Sequence, residues 1–463
     1  MNGESFFITG TVAITVNKIH CYTYKNVIDK CGISVIGIKT AAHFFQHGGD
    51  GFCILHVAAA GGANQIFFLL NLMLFGINSG ASVFLSQFWG TRDLKNVRRT
   101  MGMMYLLGAV AVTLFTLGAV LAPRFLVSFY VHEEPALTMS ASYLRIVGIS
   151  YPVTALSMIL SMVCRCTGDV SIPTRASFLS IGFNVGGNAL LIFGLCGFPA
   201  LGLEGAAIAT ALSQAASAVW VVSFLCSKHS VLRISLPDLR PRADMIGRIA
   251  ALGISPFIMQ ITESAISLVL NNGLQTYGGD LYVGSMTILN SVMQIAFSLN
   301  NGFAGGVQSI ISYNYGASNF DRVKQTFRRM ITTTFLMGAV FSLSVDLFPA
   351  AYAGLFTDNP ELIALTAKVL PLFTAGMWIF GVQTGCQNTF LGLGQAKISL
   401  FFALLRKVLL LIPLALLLPR VGLGVWGVYL SEPIADVLSA SCIGITFLFS
   451  YKKILSEEAV KRV

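Results

Sequence analysis

The strongest constraint on this chain is an internal repeat with a constant spacing. Residues near the start of the sequence return 226 positions later in the same order. The matched pairs are Asn64 with Asn290, Gly76 with Gly302, Gly80 with Gly306, Ser86 with Ser312, Gly90 with Gly316, Ala141 with Ala367 and Gly168 with Gly394. Because one offset holds over several segments and their connections, we infer two parallel copies of one structural unit, fused head to tail.

Long apolar segments recur along the chain and define the fold class. Hydrophobic residues make up 55% of the sequence and charged residues 11%, whereas soluble proteins carry roughly 25% charge. A helix needs about 20 apolar residues to cross a hydrocarbon core of roughly 30 Å. Eleven segments have that length: 63–87, 100–122, 138–163, 173–195, 203–226, 247–272, 282–312, 327–349, 363–391, 398–418 and 424–449. The sequence therefore predicts an all-α polytopic membrane protein.

The charges between these segments alternate in sign. Lys and Arg cluster after the first segment, in the 227–250 and 313–329 connections and in the tail, whereas Asp and Glu dominate the connections between them. Basic loops mark the cytoplasmic side, so the net charge of +10 reports membrane topology, and no nucleic-acid partner is expected. The predicted domains are a first lobe over 61–226, a cytoplasmic linker over 227–246, a second lobe over 247–450 and a cytoplasmic tail over 451–463.

Residues 1–60 do not follow this pattern. The second repeat has six apolar segments and the first has five, so a further crossing should precede residue 63. Four of the six histidines lie in residues 1–60, together with scattered charges. His43 and His47 are one helical turn apart, but no third ligand has a matching spacing, and no metal site is predicted. We interpret 1–60 as an aberrant segment, produced by a frameshift or a misassigned start, that replaces the first helix.

Several short motifs carry a resemblance to a known family. They are Ser86-Gln87-Phe88-Trp89-Gly90, Ser312-Tyr313-Asn314-Tyr315-Gly316, Arg165-Cys166-Thr167-Gly168-Asp169, Gly253-Ile254-Ser255-Pro256-Phe257 and Pro433-Ile434-Ala435-Asp436. In this order and spacing, the chain resembles the multidrug and toxic compound extrusion (MATE) transporters over about residues 58–450. The resemblance implies two six-helix bundles that form a V-shaped cavity and export amphipathic, often cationic drugs in exchange for H⁺ or Na⁺. We expect alternating access in the cytoplasmic membrane of a bacterium, a monomer, the lipid bilayer as surroundings, and no cofactor besides the coupling ion.

Glu263 is the strongest candidate for ion coupling. It lies in the middle of segment 247–272, where an ionisable group is costly and usually functional. A carboxylate there can bind Na⁺ through its oxygens or carry a proton. The family resemblance agrees, because an ion-site glutamate of the Na⁺-coupled branch lies ten positions after the residue that matches Gly253. The residues predicted to form the ion site with Glu263 are Gln260, Asn290 and Gln383.

Two departures from the family pattern bear on the coupling ion. The Na⁺-coupled branch has a Tyr and an Asp where this chain has Gly376 and Phe380, so a Na⁺ site here would hold a single fixed charge. The first helix of the family carries an acidic residue, implicated in proton coupling in one branch, that has no counterpart in 1–60, so no coupling through that carboxylate is expected. The single fixed charge of a Na⁺ site leads us to slightly favour H⁺ over Na⁺.

Other polar residues within the apolar segments are predicted to line a substrate cavity. They are Asn64, Asn184, Asn188, Gln294, Asn301, Gln387 and Arg406. For Gln294, Asn301 and Gln387, a hydrogen bond between helices is an equally good interpretation. Arg406 and the adjacent Lys407 point about 100° apart on a helix, so we expect one to pair with a carboxylate and the other to extend toward the cytoplasm. The candidate carboxylates are Glu263, Glu432 and Asp436.

Three alternative functions stay open at this point. A lipid-linked sugar flippase of the related superfamily would need a strongly cationic cavity, and few basic residues lie within the apolar segments. A passive channel would need a ring of like charge. The third alternative, suggested by 1–60, is a non-functional product of a damaged gene. The sequence contains no P-loop, His-Glu metal motif or Ser/His/Asp arrangement, so no catalytic residue and no enzymatic activity are predicted.

Overall fold

The fold is helical throughout the part of the chain that the structure describes. The computed structural model describes residues 50–131, 133–194, 197–199, 201–226 and 236–454. The first repeat contains α1 (Asp50–Gly90), α2 (Leu94–Leu121), α3 (Pro123–Ser128), α4 (Glu134–Thr167), α5 (Ser171–Phe193) and α6 (Gly202–Cys226). The all-α fold predicted from the sequence is confirmed.

The second repeat follows a 3₁₀ turn at Leu236–Leu239. Its helices are α7 (Ala243–Gly278), α8 (Asp280–Gly316), α9 (Phe320–Leu347), α10 (Pro349–Gly354), α11 (Pro360–Thr374), α12 (Met377–Gly392), α13 (Ala396–Leu404), α14 (Ile412–Leu417) and α15 (Gly424–Ile454). Two π-helical segments, Leu405–Leu411 and Pro419–Leu423, join α13 to α14 and α14 to α15.

The two repeats place their helices in the same register. Helices α2 and α9 begin and end 226 positions apart, as do the short helices α3 and α10. Among the described residues, the non-glycine positions with positive φ are Arg92 and Ser318, both at 58° and again 226 apart. Gly168 follows the end of α4, and Gly394 follows the end of α12. Both adopt a left-handed backbone conformation, with φ of 98° and 77°. The repeat inferred from the sequence is therefore confirmed in the backbone.

The helices account for a protein that crosses the membrane many times. Eight helical stretches of the described chain are long and apolar enough to span a bilayer, or nine if α11 and α12, which meet at a 44° bend, form one span. One stretch, Ala396–Phe449, has 54 residues, or roughly 80 Å of helix, which is too long for one crossing. Gly422, with φ of 99°, breaks it, so the stretch corresponds to the two predicted segments 398–418 and 424–449. Helix α5 covers residues 173–193 of the predicted segment 173–195 but is not among the eight.

The contacts divide the chain into two compact units, each with its own buried apolar core. One unit contains Arg98–Ile246 and the described part of α1 up to Asn78. The other begins at Gly247 and also includes Ser79–Val97. The end of α1 therefore packs with the second repeat. The lobe and linker boundaries drawn from the sequence stay predictions.

The end of α1 crosses the end of α8 at positions related by the repeat. A methyl group on Gly90 would lie 2.2 Å from the carbonyl oxygen of Tyr313, and one on Gly316 would lie 2.2 Å from the carbonyl oxygen of Gln87. Gln87 and Tyr313 are themselves 226 positions apart, so the contact is reciprocal. Only glycine lets two backbones approach this closely. Residues of the repeat signal thus form a locally two-fold symmetric helix crossing.

The aberrant segment predicted from the sequence lies mostly outside the described residues. The counterpart of α7 in the first repeat would occupy about 17–52, and the described chain begins at residue 50. Helix α1 is already formed at Asp50, before the predicted start at 63. His43, His47 and the frameshift interpretation fall outside the described residues.

Candidate ion-coupling site

Five ionisable side chains gather among the membrane-spanning helices of the second repeat, and we call them the charge cluster. Glu263 lies on α7, Arg406 and Lys407 lie on the first π-helical segment, and Glu432 and Asp436 lie on α15. Ion pairs link these residues. Ionisable groups inside a membrane are costly, usually pair with one another and mark functional sites.

Arg406 is held by two carboxylates and one aromatic ring. Its Nε donates to Asp436 Oδ1 at 2.6 Å, and its Nη2 donates to Glu432 Oε1 at 2.7 Å. The guanidinium carbon lies 4.7 Å from the centre of the Phe380 ring, within cation–π distance. The three charged side chains are buried, with exposures of at most 10%. Without its partners, each would be a buried charge with no compensation. The predicted pairing of one base with a carboxylate is confirmed.

Lys407 pairs with Glu263, the carboxylate that the sequence singled out. Its Nζ donates to Glu263 Oε1 and, at 2.6 Å, to the carbonyl oxygen of Met259. The expectation that one of the two bases extends toward the cytoplasm is therefore wrong, because both are buried and both are paired. The Lys407 side chain is 3% exposed and the Glu263 side chain 51%. Glu263 is therefore much the more exposed member of this pair.

The two adjacent bases lie in a π-helical segment and serve different helices. The N–H of Ile412 donates to the carbonyl of Lys407, five residues earlier, instead of four as in an α-helix. Pro413 follows directly, and proline lacks an N–H and clashes with the carbonyl four residues before it. Such π-bulges are frequent at functional sites. In this segment Arg406 contacts α15 and Lys407 contacts α7.

Gly376 and Phe380, the two departures from the family pattern, both lie against the charge cluster. A methyl group on Gly376 would lie 2.9 Å from Asp436 Cβ and 3.0 Å from Pro433 Cα, so a tyrosine there would displace α15. The Phe380 ring faces Arg406. The carboxylates that pair with Arg406 come instead from α15.

Gln387 contacts Met259, the residue whose carbonyl oxygen accepts a hydrogen bond from Lys407 of the charge cluster. Its Nε2 donates to the Ser399 carbonyl at 3.3 Å and lies 3.1 Å from the Met259 sulfur. The Ser399 hydroxyl lies 3.0 Å from that of Ser255 on α7, so these contacts tie α7, α12 and α13 together. Sequence reasoning placed Gln387 in a substrate cavity and missed Met259, because a backbone carbonyl carries no residue-type signal.

The remaining predicted ion-site residues are not joined to the charge cluster by a described contact. Gln260 lies one turn before Glu263 and is partly buried, and Asn290 is exposed on α8. Gln383 is 2% exposed, and its Oε1 is buried without a hydrogen-bond partner among the described residues. Buried acceptors are normally satisfied, so Gln383 has an oxygen free for a further donor or cation. The ion-site roles of all three stay predictions.

The polar residues predicted in the first repeat form a neutral chain of hydrogen bonds. Asn188 Nδ2 donates to Asn184 Oδ1 at 3.1 Å, and Asn184 Nδ2 donates to Thr210 Oγ1 at 3.3 Å, linking α5 to α6. Three other predicted cavity residues make no side-chain hydrogen bond to the described part of the chain: Asn64, Gln294 and Asn301. Their cavity roles, and that of Arg406, stay predictions.

The charge cluster contains one more acid than base. With all five groups ionised, its three carboxylates and two bases sum to −1. An unbalanced charge among apolar helices is costly, so one additional cation would complete the balance. Glu263, whose side chain is half-exposed, is the most exposed carboxylate of the charge cluster. The arrangement is therefore able to take up and release one positive charge.

Two parallel membrane repeats with paired ionisable groups inside the helices define a polytopic transporter. The sequence profile of the MatE family matches residues 54–190 and 256–417, one stretch in each repeat. The chain belongs to the MatE family, which consists of transporters rather than enzymes. The resemblance inferred from the short motifs is confirmed.

Known proteins are similar to this chain over most of its length. The multidrug export protein MepA of Staphylococcus aureus (strain MRSA252) is 25% identical over 368 residues, which cover 79% of this chain and 79% of MepA. MepA of Staphylococcus haemolyticus (strain JCSC1435) is 25% identical over 305 residues, 65% of this chain and 66% of that protein. The crystal structure of a MATE protein in the straight conformation matches with a TM-score of 0.80 and 19% identity, over 100% of this chain and 98% of the other. An outward-facing multidrug resistance MATE family transporter of the MOP superfamily matches with a TM-score of 0.78 and 18% identity, over 100% and 98%. These structures share the fold.

Proposed function

We propose that this chain is a secondary active multidrug exporter of the bacterial inner membrane that antiports amphipathic or cationic small molecules against H⁺. The observation that carries the proposal is the charge cluster. Its net charge is −1, and one of its carboxylates belongs to the half-exposed side chain of Glu263. The similarity to MepA, named as a multidrug export protein, supports the substrate class. We further propose that the chain works as a monomer by alternating access.

Antiport requires that ion and substrate are not bound productively at the same time. A proton on Glu263 cancels the net charge of the charge cluster, and a cationic substrate beside Glu263 would cancel it as well. The two therefore compete for one negative charge, and each lowers the affinity for the other. When neither is bound, Lys407 keeps the Glu263 carboxylate paired.

The atoms around the carboxylates favour H⁺ over Na⁺ as the coupling ion. Hard cations are bound by several oxygen ligands, whereas the cluster carboxylates face N–H donors of Arg406 and Lys407. Within the described ranges, no group of three or more His, Cys, Asp or Glu is placed to hold a metal ion. A proton needs only one oxygen, and Glu263 provides it.

A transport assay with the full chain in proteoliposomes tests the proposal. The vesicles are loaded with a cationic fluorescent dye, and either a pH gradient or a Na⁺ gradient is imposed. We expect the pH gradient to drive dye transport and Glu263→Gln to reduce that transport to background. Glu204→Gln, an exposed acid at the start of α6, is the matched control and should transport like the unmodified chain.

Each alternative function has its own outcome in the same assay. Transport driven by a Na⁺ gradient alone would identify Na⁺, and not H⁺, as the coupling ion. Dye movement without any gradient would indicate a passive channel. No dye transport by the unmodified chain would point to a flippase or to a non-functional product. Full pH-driven transport by Glu263→Gln would refute the role of the charge cluster.

A further inference from the structure

A second group of basic residues lines a cavity in the first repeat. The end of α2, the start of α3 and the first turns of α4 border a half-open cavity of about 310 Å³, a volume suited to a small ligand group. Arg124 and Arg145 both line this cavity, together with Thr138 and Ser142. Arg124 Nη2 donates to Thr138 Oγ1 at 3.4 Å. The cavity therefore combines two positive charges with two hydroxyl-bearing residues.

Neither arginine has a carboxylate partner in the described ranges. The acids nearest in sequence, Glu133 and Glu134, do not line the cavity, and no ion pair joins them to Arg124 or Arg145. Both arginine side chains are exposed. Two unpaired guanidinium groups at one cavity attract an anion, and their planar donor geometry suits the oxygens of a phosphate.

Exposed apolar side chains surround the cavity. Leu121, which lines it, is 76% exposed, and Phe125, next to Arg124, is 63% exposed. Ile149, one turn after Arg145, is 65% exposed. On a protein that crosses the membrane, such side chains are suited to contact with acyl chains. Arg145 lies eleven residues into α4, roughly 16 Å along the helix, where a charge without a counter-charge is costly.

The second repeat has the same break between helices but lacks the charges. Helices α9 and α10 begin 226 positions after α2 and α3, and the positions equivalent to Arg124 and Arg145 are Ala350 and Pro371. The helix break therefore forms without either arginine. The two charges are a property of the first repeat that its fold does not require.

We propose that this cavity binds the phosphate headgroup of an anionic phospholipid. The two arginines and Thr138 contact the phosphate oxygens, and the acyl chains lie along the exposed apolar residues. The acidic connection before α4 predicts that this end faces the outer surface, so the lipid comes from the outer leaflet. Inorganic phosphate offers the same oxygens but no acyl chains.

Native mass spectrometry of the full chain in detergent tests this site. The protein is mixed with equal amounts of phosphatidylglycerol and phosphatidylcholine, and the retained lipids are counted. We expect the unmodified chain to retain phosphatidylglycerol preferentially. A basic group near an anionic lipid surface contributes about a fivefold gain in affinity, so Arg124→Gln with Arg145→Gln should weaken phosphatidylglycerol retention roughly 25-fold and leave phosphatidylcholine unchanged.

The control variant removes the same charge elsewhere. Arg175→Gln with Arg420→Gln changes two other exposed arginines and should retain phosphatidylglycerol within about twofold of the unmodified chain. If the double variant at the cavity does not fold, each single variant should still show about a fivefold loss. Equal phosphatidylglycerol retention by the cavity variants and the unmodified chain would overturn the proposal. Displacement of the lipid by millimolar inorganic phosphate would overturn the lipid assignment in favour of a free-anion site.

Discussion

In the second repeat, the helices from α13 to α15 hold four members of the charge cluster, whereas the corresponding helices of the first repeat, α5 and α6, are uncharged at those positions. The two bases align with α5 at the offset of 226. Helices α6 and α15 align at a different offset, 222, through Gly205 and Gly427. Each of these glycines packs closely on the segment before it. The uncharged equivalents in the first repeat are Ser180, Ile181, Thr210 and Gln214.

The two repeats thus share a helix framework but differ in the chemistry of its interior, so the framework does not depend on one set of interior side chains. The same arrangement of helices is held by the Asn184 to Thr210 hydrogen bond in one repeat and by the ion pairs of Arg406 in the other. A neutral hydrogen bond between membrane helices contributes little net stability. A buried ion pair is different, because losing one partner leaves a charge with no compensation. The repeats should therefore respond very differently to the loss of one polar partner.

The largest effect is expected for Arg406→Met. This change leaves Glu432 and Asp436 buried without a base, and the free energy of unfolding should fall by about 3–5 kcal/mol. The loss can be measured by denaturant or thermal unfolding of the purified protein in detergent. Arg175→Met, which removes an exposed base from α5, is the control and should leave stability nearly unchanged.

Neutralising the acids as well distinguishes charge from packing. When Glu432→Gln and Asp436→Asn are added to Arg406→Met, no uncompensated charge is left on α15, and most of the lost stability should return. If Arg406→Met unfolds like the unmodified chain, the distinction drawn between the two repeats is wrong.

A smaller effect is expected at Gly80, whose repeat equivalent is Gly306. A methyl group on Gly80 would lie 2.2 Å from the Ile249 carbonyl oxygen. A methyl group on Gly306 would have no neighbouring atom within 4 Å. Gly80→Ala should therefore lower the free energy of unfolding by about 1–3 kcal/mol through overpacking. Gly306→Ala should be neutral or stabilise by about 0.4–1 kcal/mol.

Unfolding of these two alanine variants side by side uses the repeat as its own control. Equal stability of Gly80→Ala and Gly306→Ala would contradict the close contact between α1 and α7. A loss confined to Gly306→Ala would reverse the assignment of the packed glycine.

The smallest effect is expected for Asn184→Ala in the first repeat. It removes the hydrogen bond to Thr210, and such bonds between membrane helices contribute about 0.6 kcal/mol on average. Asn301→Ala, at an exposed position, should change stability less than this. A loss as large as that of Arg406→Met would show that the neutral chain is as critical as the charge cluster.

Much of the fold was predictable because its signals are local. Apolar length identifies a spanning helix and a constant offset identifies a repeat, each without knowledge of neighbours. Glu263 was predictable for the same reason, since an acid in an apolar segment stands out alone. The site was less predictable where it depends on a distant helix: the expectation for Lys407 failed because α7 places the Glu263 carboxylate beside it.

Local patterns alone predict a helical membrane protein made of two equivalent units, with an acid inside the apolar segment 247–272. Which base pairs with which acid depends on the packing of distant helices, since Lys407 and Glu263 are 144 positions apart and Arg406 and Glu432 are 26 apart. Periodicity along one helix shows which residues share a face but not which helix that face meets. The net charge of the site exists only once those faces meet.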